Sequence, residues 1–329
     1  MIFIFYMYLN GRNNSMELLR GIQNLKNQSV TCQHAVVTIG NFDGVHLGHQ
    51  KIIQTTLEKA KARKGTSIAY TFRPHPQIAL KPDSSIQLLS TYDEKIELLG
   101  ATGLDIMVEE PFSREFSTIA PEQFFSDVLL RKLGAEEIVV GYDFAFGKGR
   151  VGHLEALGEF CKSAGVQLTI VPAQRIGSEV VSSSRVRQHL LAGEIDKANA
   201  LLGRPFSYKG VVIKGDQRGR TIGFPTANLK LENKLALPYG VYATRTLFKD
   251  KIYPSVTNVG TRPTFHHEPG KELPALVETH LLDTTIDLYG STLEVRFEHR
   301  LRAEKKFNGI DALKTQITLD AQKARELLT

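Results

Sequence analysis

The chain is poor in cysteine, and it has neither a long apolar run nor a low-complexity stretch. Its two cysteines, Cys32 and Cys161, are far apart and belong to no CxxC or Cys/His cluster. That spacing supports neither a disulfide framework nor a zinc site, and a reducing, cytoplasmic setting is expected. The longest apolar run, Met1 to Leu9, is less than half of the roughly 20 residues that cross a bilayer. With no basic segment before it and no small-residue cleavage site after it, it reads as neither anchor nor signal peptide. Charge of one sign is in short supply too: 41 Lys and Arg against 35 Asp and Glu leave +6. So thin an excess leans towards anionic partners without choosing among nucleotides, nucleic acid and anionic membrane. A nucleic-acid module needs a basic stripe with interleaved stacking aromatics, and none is found.

What is present is the composition of an ordinary folded protein, 42% hydrophobic and 23% charged, over 329 residues. At about 150 residues per domain, that length predicts two domains. Met16 opens a sequence that reads like a domain start, so residues 1–15 are expected to be an extension outside the folded part. From residue 35, short β-branched runs alternate with helical periods. AVVTIG (35–40) reads as a buried strand, and Ile52, Ile53, Leu57 and Ala60 then recur at helical spacing. Further strands are expected at 67–72, 104–108, 137–144 and 166–172, with helices opened by the Thr91–Glu94 capping box, by Pro121 and near residue 152. Five strands alternating with helices predict a doubly wound parallel sheet, whose ligands sit beyond the carboxyl ends of the strands.

Character changes near Ser183, which sets the expected domains at 16–183 and 184–329. After two short helices, short alternating runs at 240–248, 252–260, 275–283 and 292–301 are separated by turn residues. They predict an antiparallel sheet closed into a small barrel. Ile310, Leu313, Ile317, Ala321 and Ala324 share one face of a closing helix.

The segment GNFDGVHLGH (40–49) joins the first strand to the first helix. There, backbone N–H groups and the helix N-terminus can face a phosphate, and His46 and His49 can donate to its oxygens as charge develops. Read by themselves, the two histidines are equally well surface or core residues, and the glycines of KGDQRGRTIGFPTAN (214–228) are equally well turn residues. The same holds for Ser182–Ser184 as an N-cap cluster and for Glu278 and His280 as a solvent-facing pair on one side of a strand.

Together these segments resemble known motifs. HLGH resembles the HxGH signature of the nucleotidyltransferase superfamily, and SSSRVR (182–187) resembles its second phosphate motif, with Ser184 where threonine is usual. TFRPHP (71–76) and GYDFAFGKGRVG (141–152) are similar to segments of prokaryotic FMN adenylyltransferases. The run GRTIGFPTAN is similar to the riboflavin kinase signature, and Glu278 stands in its V-E-x-H context. From Met16 onward the chain is identified as a member of the bifunctional riboflavin kinase/FMN adenylyltransferase family.

The resemblance implies that riboflavin and ATP give FMN in the barrel, and that FMN and ATP give FAD and pyrophosphate in the sheet domain, both with Mg2+. It implies that His46, His49 and Arg187 stabilise phosphate charge in the second reaction, with Gly40, Phe42, Asp43, Gly44, Gly48, Ser183 and Ser184 at the nucleotide. Phe72, His75, Asp143 and Phe144 are implied on the flavin side there, and Arg302 on the flavin side of the barrel. For phosphoryl transfer it implies Glu278 as the activating carboxylate, Lys214, Gly215, Gly219, Arg220 and Gly223 at the nucleotide, and Thr226 and Asn228 as metal ligands. Arg73 departs from the family pattern, where glutamate is more common. A different HxGH nucleotidyltransferase would leave the PTAN half unexplained. A flavin-binding regulator without catalysis would not need all six of His46, His49, Arg187, Thr226, Asn228 and Glu278.

Overall fold

Strands that are apolar at every position must be covered on both faces, whereas strands that alternate can leave one face to solvent. Both situations occur in this chain. A computed structural model describes residues 16–27, 32–81, 86–147, 152–214, 219, 222–231, 234–260 and 276–329. The expected extension, residues 1–15, lies outside the described residues. The chain divides into two compact units, Met1–Ser183 and Ser184–Thr329.

The first unit is built on strands β1 (Glu17–Arg20), β2 (Ala35–Ile39), β3 (Ser67–Arg73), β4 (Ile106–Pro111), β5 (Ala135–Gly141) and β6 (Gln167–Val171). They pair in the order β1-β4-β3-β2-β5-β6, and every pairing is parallel. The edge strand β1 was not expected, because its four residues carry no β-branched run; pairing with β4, Glu17 opposite Ile106, makes it a strand. Along β3 to β5 successive side chains enter opposite cores. Ile68, Tyr70, Ile106, Val108, Ile138 and Val140 face one, and Ala69 and Met107 face the other. The covering helices include α1 (Leu47–Ala62), α2 (Pro76–Leu80) and α3 (Tyr92–Gly100), the last held by the expected capping box. Helix α4 (Pro121–Lys132) is wound as a π-helix from Phe124, and Leu133 N donates to Val128 O five residues back. Helix α5 (Leu154–Ala164) completes the layer. The last turns of α1 are fastened to the sheet through Glu137 of β5, buried to 1% exposure, whose carboxylate takes Lys59 at 3.1 Å and Arg63 at 2.9 Å. A short hairpin of β7 (Arg175–Ile176) and β8 (Glu179–Val180) leads to α6 (Ser183–Ala192).

In the second unit, α7 (Ile195–Leu202) precedes β9 (Phe206–Ile213), β10 (Ala227–Leu231), β11 (Gly240–Phe248), β12 (Lys251–Gly260), β13 (Leu276–Leu281) and β14 (Thr292–Ala303). These close into a barrel, β10-β13-β12-β11-β14-β9, antiparallel throughout. Closure removes the edges on which another chain could add a strand. The interior holds Phe206, Tyr208, Tyr242 and Phe297 in edge-to-face and tilted contact. Beside them is a buried hydroxyl layer. Thr244 bonds Ser255 and Thr257 at 2.8 Å each, Thr246 bonds Ser255 at 2.8 Å, and Thr257 bonds Thr279 at 2.8 Å.

The closing helix α8 (Ile310–Leu328) lies on the outer face of β11, with Ala321, Ala324 and Leu328 packed against Ala243. The expected apolar stripe is not buried throughout, since Ile310 is 61% exposed. Its second half is tied down by Arg302 to Asp320 at 2.8 Å, by Arg325 to Asp283 at 2.7 Å and by Arg245 to the Leu328 carbonyl.

Candidate active sites

In the first unit β2 is the strand at which the winding reverses, because β3 lies on one side of it and β5 on the other. Loops leaving such neighbours diverge and open a crevice at their carboxyl ends. The Gly40–His46 turn leaves β2 into that crevice, and Asp143 and Phe144 leave β5 into it. The turn is strained: Phe42, Gly44 and Val45 all have positive φ, 49°, 77° and 38°. For a β-branched residue such as Val45 this conformation is a real outlier, and strain of this kind persists where the surroundings overdetermine it. Here Asp43 supplies the determination. Its buried carboxylate accepts from Leu89 N at 2.9 Å and Ser90 N at 3.3 Å, while Ser90 Oγ accepts from Gly44 N at 3.1 Å.

His46 caps α1, its Nδ1 accepting from His49 N at 3.3 Å. A ring whose Nδ1 is an acceptor carries its proton on Nε2, so the far edge of His46 is a donor. The His46 and His49 rings stack 3.6 Å apart at 17°. Gly48 permits this arrangement, since a Cβ there would come within 3.1 Å of the His46 ring. Phe42 is a core side chain, 1% exposed, and supports His49 edge-on at 5.3 Å. Gly40 leaves room for the Phe42 ring, which an added Cβ would meet at 3.1 Å. Ser183, the first residue of α6, donates to the Asp43 carbonyl at 3.0 Å. Ser184 is exposed, and Arg187 lies one turn further along that helix.

Beside the turn lies a pocket lined by Asn41, Asp43, Phe72, His75, Tyr92 and Lys95, among others. His75 caps α2 through Nδ1, and its backbone N donates to Tyr92 Oη at 2.9 Å. Arg73 lies over the Tyr92 ring and pairs with Glu109 at 3.6 Å. Phe144 stacks on Phe146 at 5.4 Å, and Phe146 belongs to the core. Asp143 is exposed on the turn after β5.

In the barrel, cross-strand register assembles the site. Asn228 of β10 lies opposite Glu278 of β13, which lies opposite Asn258 of β12. Asn258 is in turn opposite Val241, and Val241 opposite Arg302. Directly opposed residues share a face, so Asn228, Glu278 and Asn258 form one row on the outer wall, about 5 Å from strand to strand. His280, two residues along the same face, hydrogen-bonds the Pro225 carbonyl at 2.8 Å and meets Phe224 edge-on at 5.6 Å. It holds Phe224 and Pro225 against β13, and the Thr226 hydroxyl that follows lies near Gly219, 3.3 Å from where a Cβ there would sit. Gly219 turns the loop back, as Phe224 N donates to its carbonyl at 2.8 Å and a Cβ would sit 2.3 Å from the Phe224 oxygen. Gly223 has φ 92°. Lys214 is exposed directly after β9, while Gly215 and Arg220 lie outside the described residues. At the far end of the row the Arg302 guanidinium is engaged by Asp320.

Among the described residues no group of three or more His, Cys, Asp or Glu side chains could hold a metal ion. A hydroxyl and an amide carbonyl, Thr226 and Asn228, are hard oxygen donors that suit Mg2+ when substrate phosphates supply the remaining ligands. Sequence reasoning missed Asn258, which only register brings beside Glu278. Lys95, on the buried stripe of α3 four residues before Leu99, lines the pocket beside the turn.

The chain thus holds a histidine-bearing turn after the central strand of a parallel sheet in one unit and an Asn–Glu–Asn row on a barrel wall in the other. The FAD synthetase family matches residues 28–185 and the riboflavin kinase family residues 202–328. The chain belongs to the bifunctional riboflavin kinase/FMN adenylyltransferase family. It is 37% identical over 312 residues to the Escherichia coli K12 member, covering 94% of this chain and 97% of that protein. With the Bacillus subtilis member it shares 37% identity over 293 residues, 88% of this chain and 91% of that protein. A crystal structure of a Streptococcus pneumoniae protein described as a macrolide-efflux protein superposes with TM-score 0.84 at 29% identity, covering 94% of this chain and 99% of that one. Among the described residues no helix is long and apolar enough to cross a membrane.

Proposed function

We propose that the chain makes FMN from riboflavin and ATP in residues 184–329, and FAD from FMN and ATP in residues 16–183. The observation that carries this reading is the pairing of the His46–His49 stack with the Asn228–Glu278–Asn258 row, one in each unit. In the barrel, the ribityl 5′-hydroxyl oxygen attacks the γ-phosphorus of ATP, Glu278 takes the hydroxyl proton and ADP leaves. Thr226 and Asn228 would hold Mg2+, which neutralises charge on the transferring phosphoryl group. Lys214, Gly215, Gly219, Arg220 and Gly223 would cradle the nucleotide.

In the sheet unit the FMN phosphate is already an anionic nucleophile, so no strong base is needed. It attacks the α-phosphorus of ATP and pyrophosphate leaves. His46 Nε2–H and His49 donate to the oxygens that gain charge, and their placement at the capped start of α1 keeps them oriented before the reaction. Two cysteines outside any disulfide and ATP as substrate support a cytoplasmic setting.

Incubation with riboflavin and Mg-ATP, followed by separation of the flavins, tests the whole reading: riboflavin should fall, FMN rise transiently and FAD accumulate. Chelation of divalent metal should stop both steps. Turnover that continued undiminished in excess chelator would remove the metal role of Thr226 and Asn228.

A further inference from the structure

The histidine turn is held by more than the chain from Gly40 to His49. A peptide group is a rigid plane whose N–H and C=O point in opposite directions, so fixing both leaves it one orientation. The Asp43–Gly44 peptide is fixed in this way by two serines distant in sequence. Its carbonyl accepts from Ser183 Oγ at 3.0 Å, and its N–H donates to Ser90 Oγ at 3.1 Å. These partners lie 140 and 46 residues away along the chain. The segment that supplies Ser90 also grips the Asp43 side chain, through Leu89 N at 2.9 Å and Ser90 N at 3.3 Å.

The orientation of this peptide is passed on to the histidines. Gly44 takes φ 77°, and a Cβ on it would come within 2.9 Å of the Leu89 side chain, so only glycine lets the turn close on that segment. Between Gly44 and His46 stands Val45, buried with φ 38°, its carbonyl accepting from Gln50 Nε2 of α1 at 2.9 Å. A β-branched residue keeps such a conformation only where its surroundings impose it. The serines are also poorly suited to serve a phosphate directly. Ser90 is 4% exposed, and Ser183 has a single hydroxyl proton, which the Asp43 carbonyl takes.

We propose that Ser90 and Ser183 are positioning residues for adenylyl transfer, acting through the Asp43–Gly44 peptide to hold His46 and His49 at the reacting phosphate. This rests on the reading that adenylyl transfer occurs at the histidine turn. Ser183, within the segment that resembles a phosphate motif, then serves the turn and not the nucleotide. Released at either end, the peptide can rotate and Val45 relax, which carries the His46 ring, and the His49 ring stacked on it, out of line.

The test uses the full chain, with FMN and ATP varied separately and riboflavin phosphorylation as the internal control for folding. Ser90→Ala should lower kcat for FAD formation about 10- to 100-fold, the cost of displacing a catalytic group by about 1 Å, with KM for FMN and for ATP within about threefold. Ser183→Ala should do the same. Because both serines act on one peptide, the double variant should lose far less than the product of the two single losses. In histidine-labelled protein without substrates, the His46 and His49 ring resonances, assigned through His46→Gln and His49→Gln, should shift in Ser90→Ala, while those of His280 and His299 in the barrel stay in place. A kcat within about twofold of the unaltered protein in either variant, losses that multiply in the double variant, or histidine resonances that do not move would each overturn the proposal. So would a Ser183→Ala loss carried by KM for ATP, which returns that serine to the nucleotide. Should Ser90→Ala lose FMN formation as well, the kcat of Ser183→Ala decides. Failure of the underlying reading shows separately, as FAD formation that survives His49→Ala.

Discussion

The two proposed sites are made in opposite ways. The histidine turn of the first unit is contiguous: ten residues, Gly40 to His49, hold the strained backbone, both histidines and the glycine that lets them stack. In the barrel, Asn228, Asn258 and Glu278 lie on three different strands and meet only through register. A contiguous site is protected by local strain and capping, so point changes within it act directly on chemistry. A register site is protected by the sheet beneath it, so changes in the core can reach it without touching it.

Substitutions can break this comparison. The largest effect is expected from Glu278→Gln, which should slow riboflavin phosphorylation about 100- to 10,000-fold and leave FAD formation from supplied FMN intact. His49→Ala should do the reverse, reducing FAD formation about 100- to 1,000-fold with FMN formation unchanged. One variant that stayed folded and lost both activities would join what the comparison separates. Next, residues 184–329 expressed alone should fold and phosphorylate riboflavin at near the full-chain rate; an insoluble or inert fragment would show that the barrel depends on the first unit.

A core change sharpens the point about register. Thr257→Val removes the bonds to Thr244 and Thr279 without touching the outer wall, and should destabilise the chain by about 1–3 kcal/mol in denaturant titrations while lowering kinase activity only. The smallest effect concerns the fastening of α1. Burial by itself would raise the Glu137 carboxyl, but hydrogen bonds from Thr169, Lys59 and Arg63 outweigh it and hold the group below the ordinary glutamate value. A folded-state value below the unfolded one stabilises the fold above the unfolded value, and the gain is lost as pH falls through the folded one. Glu137→Gln should therefore lower the melting temperature at neutral pH, with the gap to the unaltered protein closing below about pH 4.

Much of the fold was legible because burial writes period into sequence. AVVTI is apolar at every position since both faces of β2 are covered, and the alternation in ALVETHLLD follows from one wall being core and the other not. Strand β1 was not legible, as its partner lies about 90 residues away and nothing in ELLR demands pairing. Ile310 misled, because helical period does not say how far along the helix the covering surface extends.

The sequence by itself determined the alternation of elements, the change of character near Ser183, and the motifs to which phosphate chemistry is assigned by proposal, since each is legible in a local stretch of chain. Tertiary structure decided that Asn258 stands beside Glu278, that Asp43 clamps the turn and does not face outward, that Arg302 is held by Asp320, and that a buried lysine floors the pocket. Those four depend on which distant backbone and side-chain groups meet, and pairing between residues tens of positions apart leaves no periodic trace in a single chain.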